Sequence, residues 1–169
     1  MSDVEAVNPP AEDDLEAILQ EAWQFVRAEP GWLGYVPAGQ RVERALMFRL
    51  GLHLHRLLES ERERWPHPWS GLTVDSELHR AHDGPKTWST EAPDILLHVR
   101  GNDDSNLLVV EAKHDSAPSM RDRRKLESLF HQRRYRFVWA VRLDLDGPLL
   151  ITKFGSARAA HGAPRHKQT

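Results

Sequence analysis

An aspartate after a proline, Pro93-Asp94, is separated by sixteen residues from Glu111-Ala112-Lys113 at the end of an apolar run. Two carboxylates and one amine on neighbouring strands are the groups that Mg²⁺-dependent cleavage of a phosphodiester needs. Carboxylate oxygens suit Mg²⁺ or Mn²⁺, and Mg²⁺ keeps several waters of its own. Such an ion polarises a phosphate and lowers the pKa of a bound water. An ammonium beside it orients that water or offsets charge building on the phosphate. The backbone carbonyl of Ala112 is a further oxygen donor.

The spacing fits one β-hairpin. Residues Asp94 to Arg100 and Asn106 to Lys113 are rich in Ile, Leu and Val, and Gly101-Asn102-Asp103-Asp104-Ser105 between them is strongly turn-forming. Side chains alternate along a strand, so Glu111 and Lys113 share a side and Ala112 takes the other. In an antiparallel pair the start of one strand lies beside the end of its partner, which brings Asp94 to Glu111 and Lys113. Because Glu111 follows the buried-type run Leu107-Leu108-Val109-Val110, an unpaired carboxylate there would be costly. A salt bridge between strands explains the same three residues without catalysis.

Other elements must hold this hairpin. Leu15, Ile18, Leu19, Ala22, Trp23 and Val26 recur at helical spacing over Asp14–Arg27. Val42–Glu63 is a second helix, with Leu46, Leu50, Leu54, Leu57 and Leu58 as its apolar stripe, stopped by Pro66 and Pro68. Alternation over Leu72–His79 predicts a strand, and 82–92 a loop containing Lys86 and Trp88. A helix over Ser119–Phe130 and strands over Tyr135–Leu143 and Leu149–Phe154 complete the order α-α-β-β-β-α-β-β. Helices on a mixed sheet, an α+β domain, is the architecture this order favours.

With 169 residues, 40% hydrophobic and 28% charged, the chain supports one domain with a substantial core. That domain is expected over 14–155, with an acidic disordered segment at 1–13 and a basic disordered tail at 156–169. No apolar run approaches membrane-spanning length, and Met1-Ser2-Asp3-Val4-Glu5 is no secretory signal, so a cytoplasmic protein is expected. The absence of cysteine excludes disulfides, thiolate zinc sites and thiol nucleophiles. His53 and His55 point in different directions on a helix, and the other histidines lack zinc-ligand spacing.

The formal charge of −2 is unevenly spread: residues 1–16 carry −6 and the remainder +4. Arg121, Arg123, Arg124 and Lys125 open a basic stretch that ends at Arg136. Such a stretch can contact phosphates, and a solvated charged face explains it equally. Trp65, Trp69 and Trp88 flank loops near the expected site; they could stack on bases or pack the core.

A helix, three strands, a helix and a fourth strand, with Pro-Asp on the second strand and Glu-x-Lys on the third, resembles the PD-(D/E)XK nuclease superfamily, the restriction-endonuclease-like fold. The resemblance covers roughly residues 41 to 145. Short stretches are similar to an uncharacterised bacterial branch of it: Glu43-Arg44-Ala45-Leu46, Val74-Asp75-Ser76-Glu77, Pro93-Asp94-Ile95-Leu96-Leu97-His98, Asn106 to Glu111, and Asp122 with Lys125-Leu126. Phe48 and Leu78-His79 depart from that branch's pattern.

The resemblance implies Asp94 and Glu111 as metal ligands for Mg²⁺ or Mn²⁺, Lys113 as the catalytic lysine, and nucleic acid as substrate, DNA before RNA. Glu43, opening the first core helix, becomes a further acidic group near the metal; a carboxylate favoured by the helix dipole explains it as well. Glu77 aims at the site or faces solvent. His98, sharing strand parity with Asp94, is expected behind the ligands. A homodimer would suit cutting two strands. The alternative is a nuclease-like domain without catalysis that binds nucleic acid or another protein.

Overall fold

The computed structural model describes residues 8–29, 40–76, 93–101, 103–114, 116–133 and 135–156. The predicted features at Glu77, Lys86 and Trp88, the ends at 1–7 and 157–169, and the loop at 82–92 lie outside the described residues.

Among the described residues three helices pack on a five-stranded sheet. Helix α1 spans Glu12–Ala28 and α2 spans Gln40–Ser60. Strands β1 (Leu72–Ser76), β2 (Ile95–Val99) and β3 (Asn106–His114) follow, then α3 (Met120–Arg133), β4 (Phe137–Leu143) and β5 (Leu150–Ser156). The predicted order departs from this at the connections. Short 3₁₀ turns occupy Arg62–Arg64, Trp69–Gly71 and Asp103–Ser105. The first two fall where prolines deny the chain a longer helix. The third tightens the hairpin loop after Gly101, whose φ of 78° is open to glycine at little cost. Helix α1 starts earlier than predicted because Glu12 and Asp13 join its first turn, where the helix dipole favours acids.

The strands lie in the order β1-β2-β3-β4-β5, and every pairing is antiparallel except β3 with β4. A parallel neighbour requires a crossover, which α3 provides. β3 is therefore central and covered on both faces, which is why Leu107–Val110 reads as a continuous apolar run.

The two faces hold separate cores. Leu72, Leu97, Val110, Ala112, Trp139 and Val141 pack with α1 and with Leu46, Leu50, Leu54 and Leu58 of α2. Leu96, Val109, Val138 and Ala140 pack with Leu126 of α3 on the opposite face. Fully buried Trp23 anchors α1, its Nε1 donating to the Asp144 and Gly147 carbonyls at 3.2 and 3.1 Å. Trp65 and Trp69 belong to the α1–α2 core. β5 crosses α3 closely at Gly155, where an added Cβ would lie 2.8 Å from the Phe130 ring. No described helix is long and apolar enough to cross a membrane.

Candidate active site

The β2–β3 register pairs Ile95 with Val110. Continued by one residue, it sets Asp94 opposite Glu111. Asp94 Oδ2 accepts a hydrogen bond from Ala112 N at 2.7 Å. That bond ties the aspartate to the Glu-Ala-Lys segment and fixes the direction of its carboxylate. Ala112 turns into the α1–α2 core, whereas Glu111 and Lys113 project to the α3 side, as strand alternation requires.

Lys113 Nζ stands among three carboxylates. Glu43 Oε1 is 3.6 Å away, Glu111 Oε1 3.8 Å and Asp122 Oδ1 3.9 Å. Glu43, in the first turn of α2, reaches round the end of the sheet and accepts from His114 N at 3.0 Å. Asp122 belongs to the first turn of α3. Its Oδ2 accepts from Ser119 N and from Ser119 Oγ at 2.8 and 2.7 Å, and Ser119 Oγ accepts from Asp122 N at 3.2 Å. This reciprocal cap satisfies donors that the helix start would otherwise orphan. It also fixes Asp122 where it faces Lys113.

Lys125 enters the site one turn further along α3. Its Nζ is 2.6 Å from Glu111 Oε2. Read from sequence with Arg121, Arg123 and Arg124 as a phosphate contact, it sits on the glutamate. The three arginines are exposed on α3, and Arg123 lies over the Phe154 ring at 5.9 Å.

Burial sets the protonation behaviour here. Glu111 is 5% exposed. Burial first, and then the neighbouring Asp94, push its carboxyl up to about 6 against the pull of Lys125 and Lys113. Asp94 is also raised, mainly by burial, with the Ala112 N–H and both lysines opposing. Burial alone would lower Lys113, but Glu43, Asp122, Glu111 and Asp94 outweigh it and hold the ammonium above its usual range. Lys113 therefore acts as a fixed cation, not as a proton acceptor. Asp122 is lowered: burial opposes ionisation, and the Ser119 bonds and both lysines overcome it.

A second polar cluster lies on the same sheet face, centred on buried Asp75 of β1. His98 Nε2 is 2.8 Å from Asp75 Oδ2, and Arg100 contacts both Asp75 oxygens, with Nε 3.2 Å from Oδ2. The described bond of His98 thus goes to Asp75. Strand alternation over Leu72–His79 sets Asp75 on the face opposite Leu72 and Val74, but sequence reading gave it no role. The signal was an acid alternating with Leu72 and Val74, opposite a strand bearing His98 and Arg100. The Ser119-Met120-Arg121-Asp122 spacing was a usable signal for the cap and hence for Asp122. Glu77 lies outside the described residues.

Among the described residues no group of three or more His, Cys, Asp or Glu side chains is arranged to hold a metal ion. The donors that do converge are Asp94 and Glu111, with the Ala112 carbonyl on the segment between Glu111 and Lys113. Two carboxylates fit Mg²⁺, which is commonly bound by one or two of them and completes its shell with water. If all four acids are ionised, Asp94, Glu111, Glu43 and Asp122 exceed Lys113 and Lys125 by two negative charges, the complement of one divalent cation.

No protein-family model, no curated protein and no solved structure matches this chain.

Proposed function

We propose that this protein is a divalent-cation-dependent nuclease that hydrolyses phosphodiester bonds, with DNA as the favoured substrate. The observation that carries this reading is the convergence of Asp94, Glu111 and Lys113 at one end of the β2–β3 hairpin, with Ala112 N donating to Asp94 at 2.7 Å. Asp94 and Glu111 would hold Mg²⁺ or Mn²⁺, which when bound polarises the phosphate and makes a bound water acidic enough to attack. The restriction-endonuclease-like fold belongs to the same proposal.

The chain's own residues supply the rest. Lys113, kept protonated by its acidic neighbours, offsets charge gathering on the phosphate oxygens. Glu43 and Asp122 hold it in reach from two helices. Exposed Arg121, Arg123 and Arg124 suit the backbone of a bound strand.

Purified protein with Mg²⁺ or Mn²⁺ should cut at least one of single- or double-stranded DNA or RNA. Asp94→Ala and Lys113→Ala should each lower the rate by at least a hundredfold, the usual scale for removing a charge-stabilising group. Cleavage undiminished in both variants refutes the assignment.

A second reading is a nuclease-like module that binds without cutting. What favours it is the 2.6 Å bond of Lys125 to Glu111, which already neutralises a carboxylate the ion would need. Calorimetry with Mn²⁺ separates the two: heat that disappears in Glu111→Ala supports the enzyme, and no heat supports the module.

A further inference from the structure

The two lysines of the site are held in different ways. Lys113 lies 3.6 to 3.9 Å from three separate carboxylates, at ion-pair distances longer than a hydrogen bond. Lys125 Nζ makes a short, charge-assisted bond to Glu111 Oε2 at 2.6 Å. Both its own side chain and that of Glu111 are largely shielded, at 13% and 6% exposure. Screening by water is weak there, so the pairing of charges governs what else can approach the oxygen.

We propose that Lys125 is a resident counter-cation for Glu111, occupying the place of a divalent ion and yielding Oε2 to it on loading. This rests on the nuclease reading and deepens it: Lys125 becomes a positioning residue that sets cation affinity. Burial and the adjacent Asp94 both oppose a charged Glu111, so a metal-free site needs a cation of its own to keep that carboxylate aimed. Lys113 stands farther from that carboxylate, 3.8 Å from Glu111 Oε1, so the short contact falls to Lys125 at 2.6 Å. Lys125 belongs to the α3 turn that follows the Ser119–Asp122 cap, so its backbone is anchored while its four-carbon stem can withdraw. A divalent ion on Glu111 Oε2 would bring two positive charges against that ammonium. Loading therefore means displacing Lys125, and the displacement subtracts from the intrinsic affinity of Asp94 and Glu111.

The test is Mn²⁺ calorimetry at one pH on the full chain, as wild type, Lys125→Met, Lys125→Gln and Lys125→Arg. Removing one positive charge beside the ion should tighten Mn²⁺ binding by at least about tenfold in Lys125→Met and Lys125→Gln, because charges a few ångströms apart repel more strongly where water screens them weakly. Two neutral variants keep the test open if one fails to fold. Lys125→Arg retains the charge and should stay within about twofold of wild type. A merely structural prop predicts the opposite sign, since Glu111 would lose its support. Equal or weaker binding in both neutral variants, with wild type binding, overturns the counter-cation role and leaves the cation site standing. Binding by the neutral variants alone supports the proposal, with Lys125 acting as a full block. No binding by any form overturns both this role and the nuclease reading.

Discussion

Replacing Glu111 with glutamine should stabilise the metal-free protein at neutral pH. The folded chain holds this carboxyl at about 6, against 4.5 for an ordinary glutamate. A carboxyl shifted that far disfavours folding by about 2 kcal/mol once ionised. The sign follows from proton binding. Below 4.5 the group is protonated in both states and stability is unaffected. As pH rises from 4.5 through about 6, the unfolded chain ionises first, and stability falls by that amount. Glutamine is isosteric with the protonated acid, and its oxygen still accepts from Lys125. Glu43 and Asp122 continue to pair Lys113. About 2 kcal/mol is the ceiling for the gain, and an amide's imperfect match to a carboxylic acid brings the expectation to roughly 1 kcal/mol, a rise of about 3 °C in melting temperature. The assay is urea denaturation in EDTA at pH 4.5 and 7.5, for wild type and Glu111→Gln. The variant should be the more stable at pH 7.5 and should lack Glu111's share of the decline between the two pH values. A variant less stable than wild type at pH 7.5 would refute the reasoning, because the Lys125–Glu111 pair would then be worth more than the burial and repulsion that oppose it.

Two further outcomes follow from the same geometry. Asp75 is lowered from 3.8, since Arg100 and His98 together outweigh its burial. Its contribution is present above 3.8 and lost as pH falls through its depressed value, so Asp75→Asn should lose about 1–3 kcal/mol at pH 7 and flatten the acid limb of the stability curve. An unchanged acid limb would show that the cluster is not linked to folding. Ser119→Ala removes the α3 cap and should cost about 1 kcal/mol by urea denaturation. Because the cap also aims Asp122 at Lys113, the rate of the proposed Mg²⁺-dependent cleavage should fall with it; a loss of stability at unchanged rate would separate the cap from the site.

The parts of the site visible in the sequence are those that depend on one hairpin. Strand alternation fixes the common side of Glu111 and Lys113, and antiparallel pairing fixes the approach of Asp94, so local rules suffice. Lys125 was harder, because the basic stretch after Ser119 looks uniform as a string. On a helix, Asp122, Lys125 and Leu126 share one face through their i, i+3 and i+4 spacing, while Arg121, Arg123 and Arg124 remain exposed. Apolar Leu126 marks that face as the buried one. What no local rule supplies is which carboxylate the face will meet. The parallel pairing of β3 with β4 decides that, by requiring α3 to cross the sheet on the side to which Glu111 points. Asp75 poses the same difficulty across strands. Its strand face could be read from alternation, but its burial depends on His98 of β2 and on Arg100 just beyond that strand, with Thr73 opposite His98. Lys125 and Asp75 thus became clear only once the sheet had set their neighbours. Both pair a buried carboxylate with a cation from another element, a contact that a single segment's pattern cannot encode.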